Sequence, residues 1–151
     1  MSFDRRWIAE RIPHQGDMCL LDRVIAWDPG RVLCLAKSHR SADHPLRSRG
    51  CLSILCGIEY AGQAMAVHGA LLASVAGRPA AWGVLAGLRD VRFWRQRLDL
   101  VAGDLFVEVE RIAWNESDAL YRFRIRAEAE GSLLDGRAVV RLNADRGRVL
   151  P

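Results

Sequence analysis

The run from Ser53 to Ala76 constrains this chain more than any other. It extends for roughly six helical turns without a proline, and Ala61, Gly62, Ala64, Ala66, Gly69, Ala70 and Ala73 make it poor in bulky side chains. Ser53 stands in an N-cap position and Gly77 marks a C-terminal stop. A glycine inside a helix costs roughly 1 kcal/mol relative to alanine. Gly62 and Gly69 therefore predict a helix pressed closely against something flat or against a symmetry mate. Its most apolar part, Tyr60 to Ala76, is interrupted by Gln63 and His68 and is too short to cross a bilayer. A buried central helix is expected.

The rest of the chain reads as material to cover that helix. Residues 3–11 place Phe3, Trp7 and Ile8 on one face of a short amphipathic helix, which Pro13 stops. Residues 18–27 and 31–38 read as strands joined by the turn Asp28-Pro29-Gly30, in which proline presets one dihedral and glycine accepts a positive one. Residues 40–52 form an irregular, arginine-rich connection. Four strands follow, at 83–94, 104–115, 118–128 and 133–143, with turn residues at Gly103-Asp104, Asn115 to Asp118 and Glu130-Gly131. Strands segregated around one helix predict an α+β fold, a highly curved antiparallel sheet wrapped around the helix, with 1–151 as a single domain.

Composition narrows the function classes. The N-terminus, Met1 to Gln15, has no apolar core, so no secretory signal is expected. Cys19, Cys34, Cys51 and Cys56 stand at irregular spacing with no Cys-x-x-Cys pair, which predicts reduced thiols and a cytoplasmic protein. The four histidines are scattered, so no metal site is expected. The net charge is +4 and Lys37 is the only lysine. The arginines are dispersed without aromatic interleaving, which argues weakly for nucleic acid. An acidic protein partner or an anionic, phosphate-bearing substrate suits the charge as well.

The chemistry-bearing residues centre on the helix. Glu59 lies in its first turns among apolar neighbours, and Gln63 at i+4 shares its face and can orient the carboxyl group. Burial is expected to raise the Glu59 pKa and hold it protonated, as an acid role requires. The bland alternative is a solvent-facing glutamate near a helix N-terminus. His68, nine residues on, falls about 180° around the helix and is expected to pack in the core or an interface.

Three segments together resemble the bacterial 3-hydroxyacyl-(acyl carrier protein) dehydratases. They are Ile12-Pro13-His14 with Leu20 to Val24 and Asp28-Pro29-Gly30; Glu59 to Ala64; and Leu85 to Phe93 with Gly103-Asp104. The match is most similar to the divergent branch found with aryl polyene and polyketide-type clusters. It implies a hotdog fold, and removal of water from a 3-hydroxyacyl thioester on acyl carrier protein to give a trans-2-enoyl thioester. It also implies a dimer, as homodimer or heterodimer with a related subunit, and neither metal nor cofactor. Carried over by residue, it implies Glu59 as the acid, His44 as the base, and Gln63, His14 and the Ile54 N–H around the substrate. His44 departs from the pattern: it stands one residue further from Glu59, followed by Pro45-Leu46-Arg47 rather than Phe-Pro-Gly. Ile54 replaces a glycine. His39 is expected to be structural. Arg89, Arg92, Arg95 and Arg97 are either a solvated face or a docking surface for acidic carrier protein. A hotdog acyl thioesterase and a non-catalytic acyl-binding or partner subunit are the alternative readings.

Overall fold

A computed structural model of the protein describes residues 3–143. Helix α1 (Arg5–Ala9) is capped by the Asp4 carboxylate, which accepts from the Trp7 N–H. Strands β1 (Arg23–Asp28) and β2 (Arg31–Ala36) form the expected hairpin. In its turn the Asp28 side chain accepts from the N–H groups of Gly30 and Arg31. Residues 18–22, expected as the start of β1, are not strand; a single 3-10 turn at Gly16–Met18 brings the chain past the central helix instead. That helix, α2 (Gly57–Val75), is preceded by a 3-10 turn, Ile54–Cys56, whose N-cap is Ser53. Strands β3 (Trp82–Phe93), β4 (Leu105–Trp114), β5 (Asp118–Ala127) and β6 (Gly131–Asn143) complete the sheet.

The six strands run antiparallel in the order β1-β2-β4-β5-β6-β3. Strand alternation decides which side chains meet α2. Val32, Cys34, Val107, Val109, Tyr121, Phe123 and Ile125 point inward and are buried, while Glu110, Arg122 and Arg124 point outward and are exposed. Among the glycines of α2, Gly57 makes the tightest approach: a Cβ there would stand 2.7 Å from Leu134 and 2.9 Å from Ile125. This is the close packing expected of the helix, at a glycine other than the two from which it was expected. At Gly62 and Gly69 a Cβ would meet nothing within 4 Å. With Ala66 and Ala73 they form a half-covered stripe on the side of α2 turned away from the sheet.

All four cysteines are free thiols. Cys34 is fully buried, and burial pushes its thiol up to about 12, far from a reactive thiolate. No helix among the described residues is long and apolar enough to cross a membrane.

Candidate functional site

Glu59 enters from the first turn of α2, on the edge of the half-covered stripe, and its carboxylate is 41% exposed. The ring facing it is His14, whose Nε2 lies 2.9 Å from Glu59 Oε1. This contact joins residues far apart in sequence, and the structure accounts for it through Gln63. The Gln63 side chain is fully buried. Its Nε2 donates to the Met18 carbonyl at 2.7 Å and its Oε1 accepts from the Leu20 N–H at 2.9 Å. One amide thus satisfies two backbone groups of a segment that has no sheet partner. Clamped in this way, the segment carries His14 over Glu59. Gly16 turns it at a φ of +57°, a conformation glycine adopts without steric cost.

The His14 hydrogen bond is the largest influence on Glu59 and holds its carboxyl below the usual range, opposed by partial burial and helped by the charge of His14 and the Gln63 amide. This reverses the expectation that burial would raise the Glu59 pKa: the group is half-exposed and hydrogen-bonded in its charged form. His14 Nδ1 is buried and has no hydrogen-bond partner among the described residues.

His44 does not meet Glu59 within the chain. It is 5% exposed. Its Nδ1 accepts from the Leu46 N–H at 3.0 Å, which places the ring proton on Nε2, and Nε2 then donates to the Tyr60 hydroxyl at 3.0 Å. Tyr60 bonds Ser38 Oγ at 2.6 Å, and Ser38 donates to the Leu20 carbonyl at 2.8 Å. A directional polar chain therefore runs from His44 through Tyr60 and Ser38 to Leu20, and on through Gln63 to Met18. His44 stands one helix position around from Glu59 because Tyr60, not Glu59, faces the loop.

The resemblance implies the Ile54 N–H beside the substrate, and Leu55 and Cys56 offer the next N–H groups before α2. They are committed elsewhere. Ile54 N donates to the Gln96 carbonyl at 2.9 Å, Leu55 N to Ser53 Oγ at 3.2 Å and Cys56 N to the Ser53 carbonyl at 3.0 Å. Ile54 is buried and offers its side chain to the core. Leu52 N is taken by Asp99, which Arg97 also grips. No group of three or more His, Cys, Asp or Glu side chains among the described residues is placed to hold a metal ion.

Burial gives His39, His44 and His68 a shared electrostatic character. Each is no more than 5% exposed, and loss of water is the largest cause lowering each pKa. In the unfolded chain they titrate near about 6.5. Below that pH the unfolded state gains protons that the native state resists. Their contribution is thus intact above about pH 6.5 and is lost as pH falls through the native pKa values. The melting temperature, followed by circular dichroism, is expected to drop between about pH 7 and about pH 5, before carboxylate titration begins. A flat profile over that range contradicts neutral burial of these rings.

The family model described as ApeP-like, ApeP dehydratase, matches residues 6–145. Among solved structures, the dehydratase heterocomplex ApeI:P from Xenorhabdus doucetiae aligns with a TM-score of 0.79 at 22% identity, covering 91% of each chain. The PaaI protein of the E. coli phenylacetic acid degradation operon aligns at 0.61 and 14% identity, covering 91% of this chain and 88% of that one. Zebra fish thioesterase superfamily member 2 aligns at 0.62 and 16%, covering 92% and 93%. These likenesses show the hotdog fold. No curated protein sequence matches the chain.

Proposed function

This chain belongs to the ApeP-like dehydratase family, and from that premise we propose that it removes water from a 3-hydroxyacyl thioester carried on acyl carrier protein, with Glu59 and His14 as the working pair. The single observation that carries this reading is the 2.9 Å contact between His14 Nε2 and Glu59 Oε1. Dehydration needs a base at the α-carbon and an acid at the 3-hydroxyl. An ionised Glu59 suits the base: it takes the α-proton, the C2=C3 bond forms and the C3–O bond breaks. His14, acting as an imidazolium, gives its Nε2 proton to the departing hydroxyl, which leaves as water, and becomes a neutral imidazole. The proton then passes from Glu59 to His14 across their hydrogen bond and restores the pair. His44 is assigned a positioning role, through Tyr60 and Ser38.

The partner follows from what the chain leaves uncovered. Strand β3 is a sheet edge, and Leu85 and Leu88, paired with the inward-facing Val140 and Ala138, remain 40% exposed. An open edge with apolar side chains calls for pairing with another chain. The Glu59–His14 pair lies at the margin of the small-residue stripe, so a second hotdog subunit is the wall that would enclose it. The X. doucetiae relative is a heterocomplex; here either a second copy or a related subunit fills that place. Light scattering of the purified chain, alone and with such a subunit, is expected to give a dimer or larger assembly in at least one case. A monomer in both at micromolar concentration removes the enclosed site.

Of the four arginines first considered for carrier docking, Arg92 pairs with Asp135, Arg97 with Asp99, and Arg95 lies 3.8 Å from Glu130. Arg89 sits directly opposite Arg137, which sits opposite Arg122, itself 3.5 Å from Glu110. Like charges in register are destabilising unless something neutralises them. Arg89 and Arg137 on the outer sheet face therefore support an acidic partner better than Arg92, Arg95 and Arg97 do.

The test is mass spectrometry of the assembled protein with a panel of 3-hydroxyacyl carrier-protein thioesters. Loss of water supports the dehydratase. Loss of the acyl group supports the second reading, a thioesterase in which the ionised, half-exposed Glu59 activates water. No change of mass leaves a non-catalytic acyl-binding or partner subunit.

A further inference from the structure

A second groove, of about 740 Å³, opens beyond the C-terminal end of α2. Its wall at Gly69 lies about 15 Å along the helix axis from Glu59, and at Ala73 about 21 Å, so it is separate from the site above. Its notable member is Arg111. The register places Arg111 opposite Tyr121, whose side chain points inward and is 4% exposed. Arg111 is thus a cation on the helix-facing side of the sheet. Its guanidinium stacks over the Trp114 ring at 3.7 Å. Its Nε is buried and has no hydrogen-bond partner among the described residues, and no ion pair among those residues involves it. Arg78, from the turn after α2, lines the same groove. Glu116 is the acid in the lining, against two arginines.

The groups behind Arg111 supply no negative charge. His68 Nε2 donates to the Asp28 carbonyl at 3.1 Å, so its Nδ1 is bare and accepts from the Tyr121 hydroxyl at 2.9 Å. Both groups are neutral: burial lowers the His68 pKa and pushes Tyr121 up to about 12. A buried arginine donor is ordinarily paired with an acceptor, and usually with an anion. Beside it, Leu72, Pro79 and Leu142 give the groove an apolar wall, and Trp114 is 60% exposed at its rim.

We propose that this groove is a second binding site, for an amphipathic organic anion whose terminal oxyanion sits on Arg111 and whose apolar body lies along Leu72, Pro79 and Leu142. The planar guanidinium, already held flat by Trp114, presents its edge to a carboxylate or phosphate. Arg78 adds charge at the mouth. This assignment does not depend on the chemistry proposed for Glu59.

Fluorescence titration of the full chain tests it, with octanoate, octyl phosphate, octanamide and inorganic phosphate as probes. Trp114→Phe identifies the signal that comes from the groove. Saturable binding of octanoate or octyl phosphate is expected, at least about tenfold tighter than octanamide or inorganic phosphate. Arg111→Gln is expected to weaken it about tenfold or more, Arg111→Lys less, and Glu59→Gln not at all. If Arg111→Gln fails to fold, the comparison of Arg111→Lys and Arg78→Gln against the parent decides. Absence of saturable binding in the millimolar range, binding unchanged by these arginine substitutions, or equal binding of octanamide each overturns the proposal.

Discussion

Glu59→Gln is expected to slow dehydration by on the order of 100-fold or more, equivalent to about 3 kcal/mol of barrier. The substituted amide keeps the shape of the side chain and an oxygen that can accept from His14 Nε2. The fold and the 2.9 Å contact are therefore preserved while the base is lost. His14→Ala is expected to act similarly, because it removes the acid and the group that holds Glu59 ionised. The pH profile adds a sign. A protonated Glu59 acting as acid would lose activity as pH rises through a raised pKa. An ionised Glu59 acting as base sets the acid limb instead, where activity is lost only below the ordinary glutamate range, about 4.3, while the alkaline limb belongs to the His14 proton. The profile of kcat/KM and the two variants, measured on one carrier-bound substrate, check both points. Dehydration that survives Glu59→Gln unchanged would falsify the assignment and favour a subunit that binds or stabilises without catalysing.

Gln63→Leu is expected to destabilise the protein by about 2–6 kcal/mol, because each of two buried backbone groups left without a partner costs about 1–3 kcal/mol. The groups are the Met18 carbonyl and the Leu20 N–H, and Leu20 is fully buried. Leucine fills nearly the same volume, so the loss reports the hydrogen bonds rather than a cavity. Denaturant titration measures it. Activity should fall as well, with Glu59 intact, because the clamp that sets His14 on the carboxylate is gone. His44→Ala tests the other end of the polar chain. It is expected to lower stability and reach the site only through Tyr60, so the pH profile of its residual activity should match the parent. A shifted profile would return His44 to the chemistry. Unchanged stability in Gln63→Leu would show that segment 15–20 is held by other contacts.

Much of this architecture was legible in the residues. The helix, the hairpin turn and the four later strands depend on local periodicity, capping and turn chemistry, and each lies within a few residues of its expected bounds. The pairing of Glu59 with Gln63 as one helix face was also local, set by a separation of four. The three matched segments pointed to the family, because they stand in order over nearly the whole chain.

What sequence could not supply were the distances between residues remote in the chain. His14 and Glu59 are 45 positions apart, and their contact depends on a buried amide gripping an irregular segment that carries no periodic signal. His44 and Tyr60 meet because the connection into α2 winds by hydrogen bonds to Ser41 and Leu46, a path that no spacing rule encodes. The Ile54 N–H implied beside the substrate is claimed by the Gln96 carbonyl from across the fold, and the next two N–H groups by Ser53. The sign of the Glu59 pKa shift followed the same division. Sequence set the carboxyl among apolar neighbours; only the folded chain decided how much water it kept and that a histidine would stand beside it. Local interactions determine which elements form, and a residue's protonation and partners depend on the packing of elements that the chain brings together only once it has folded.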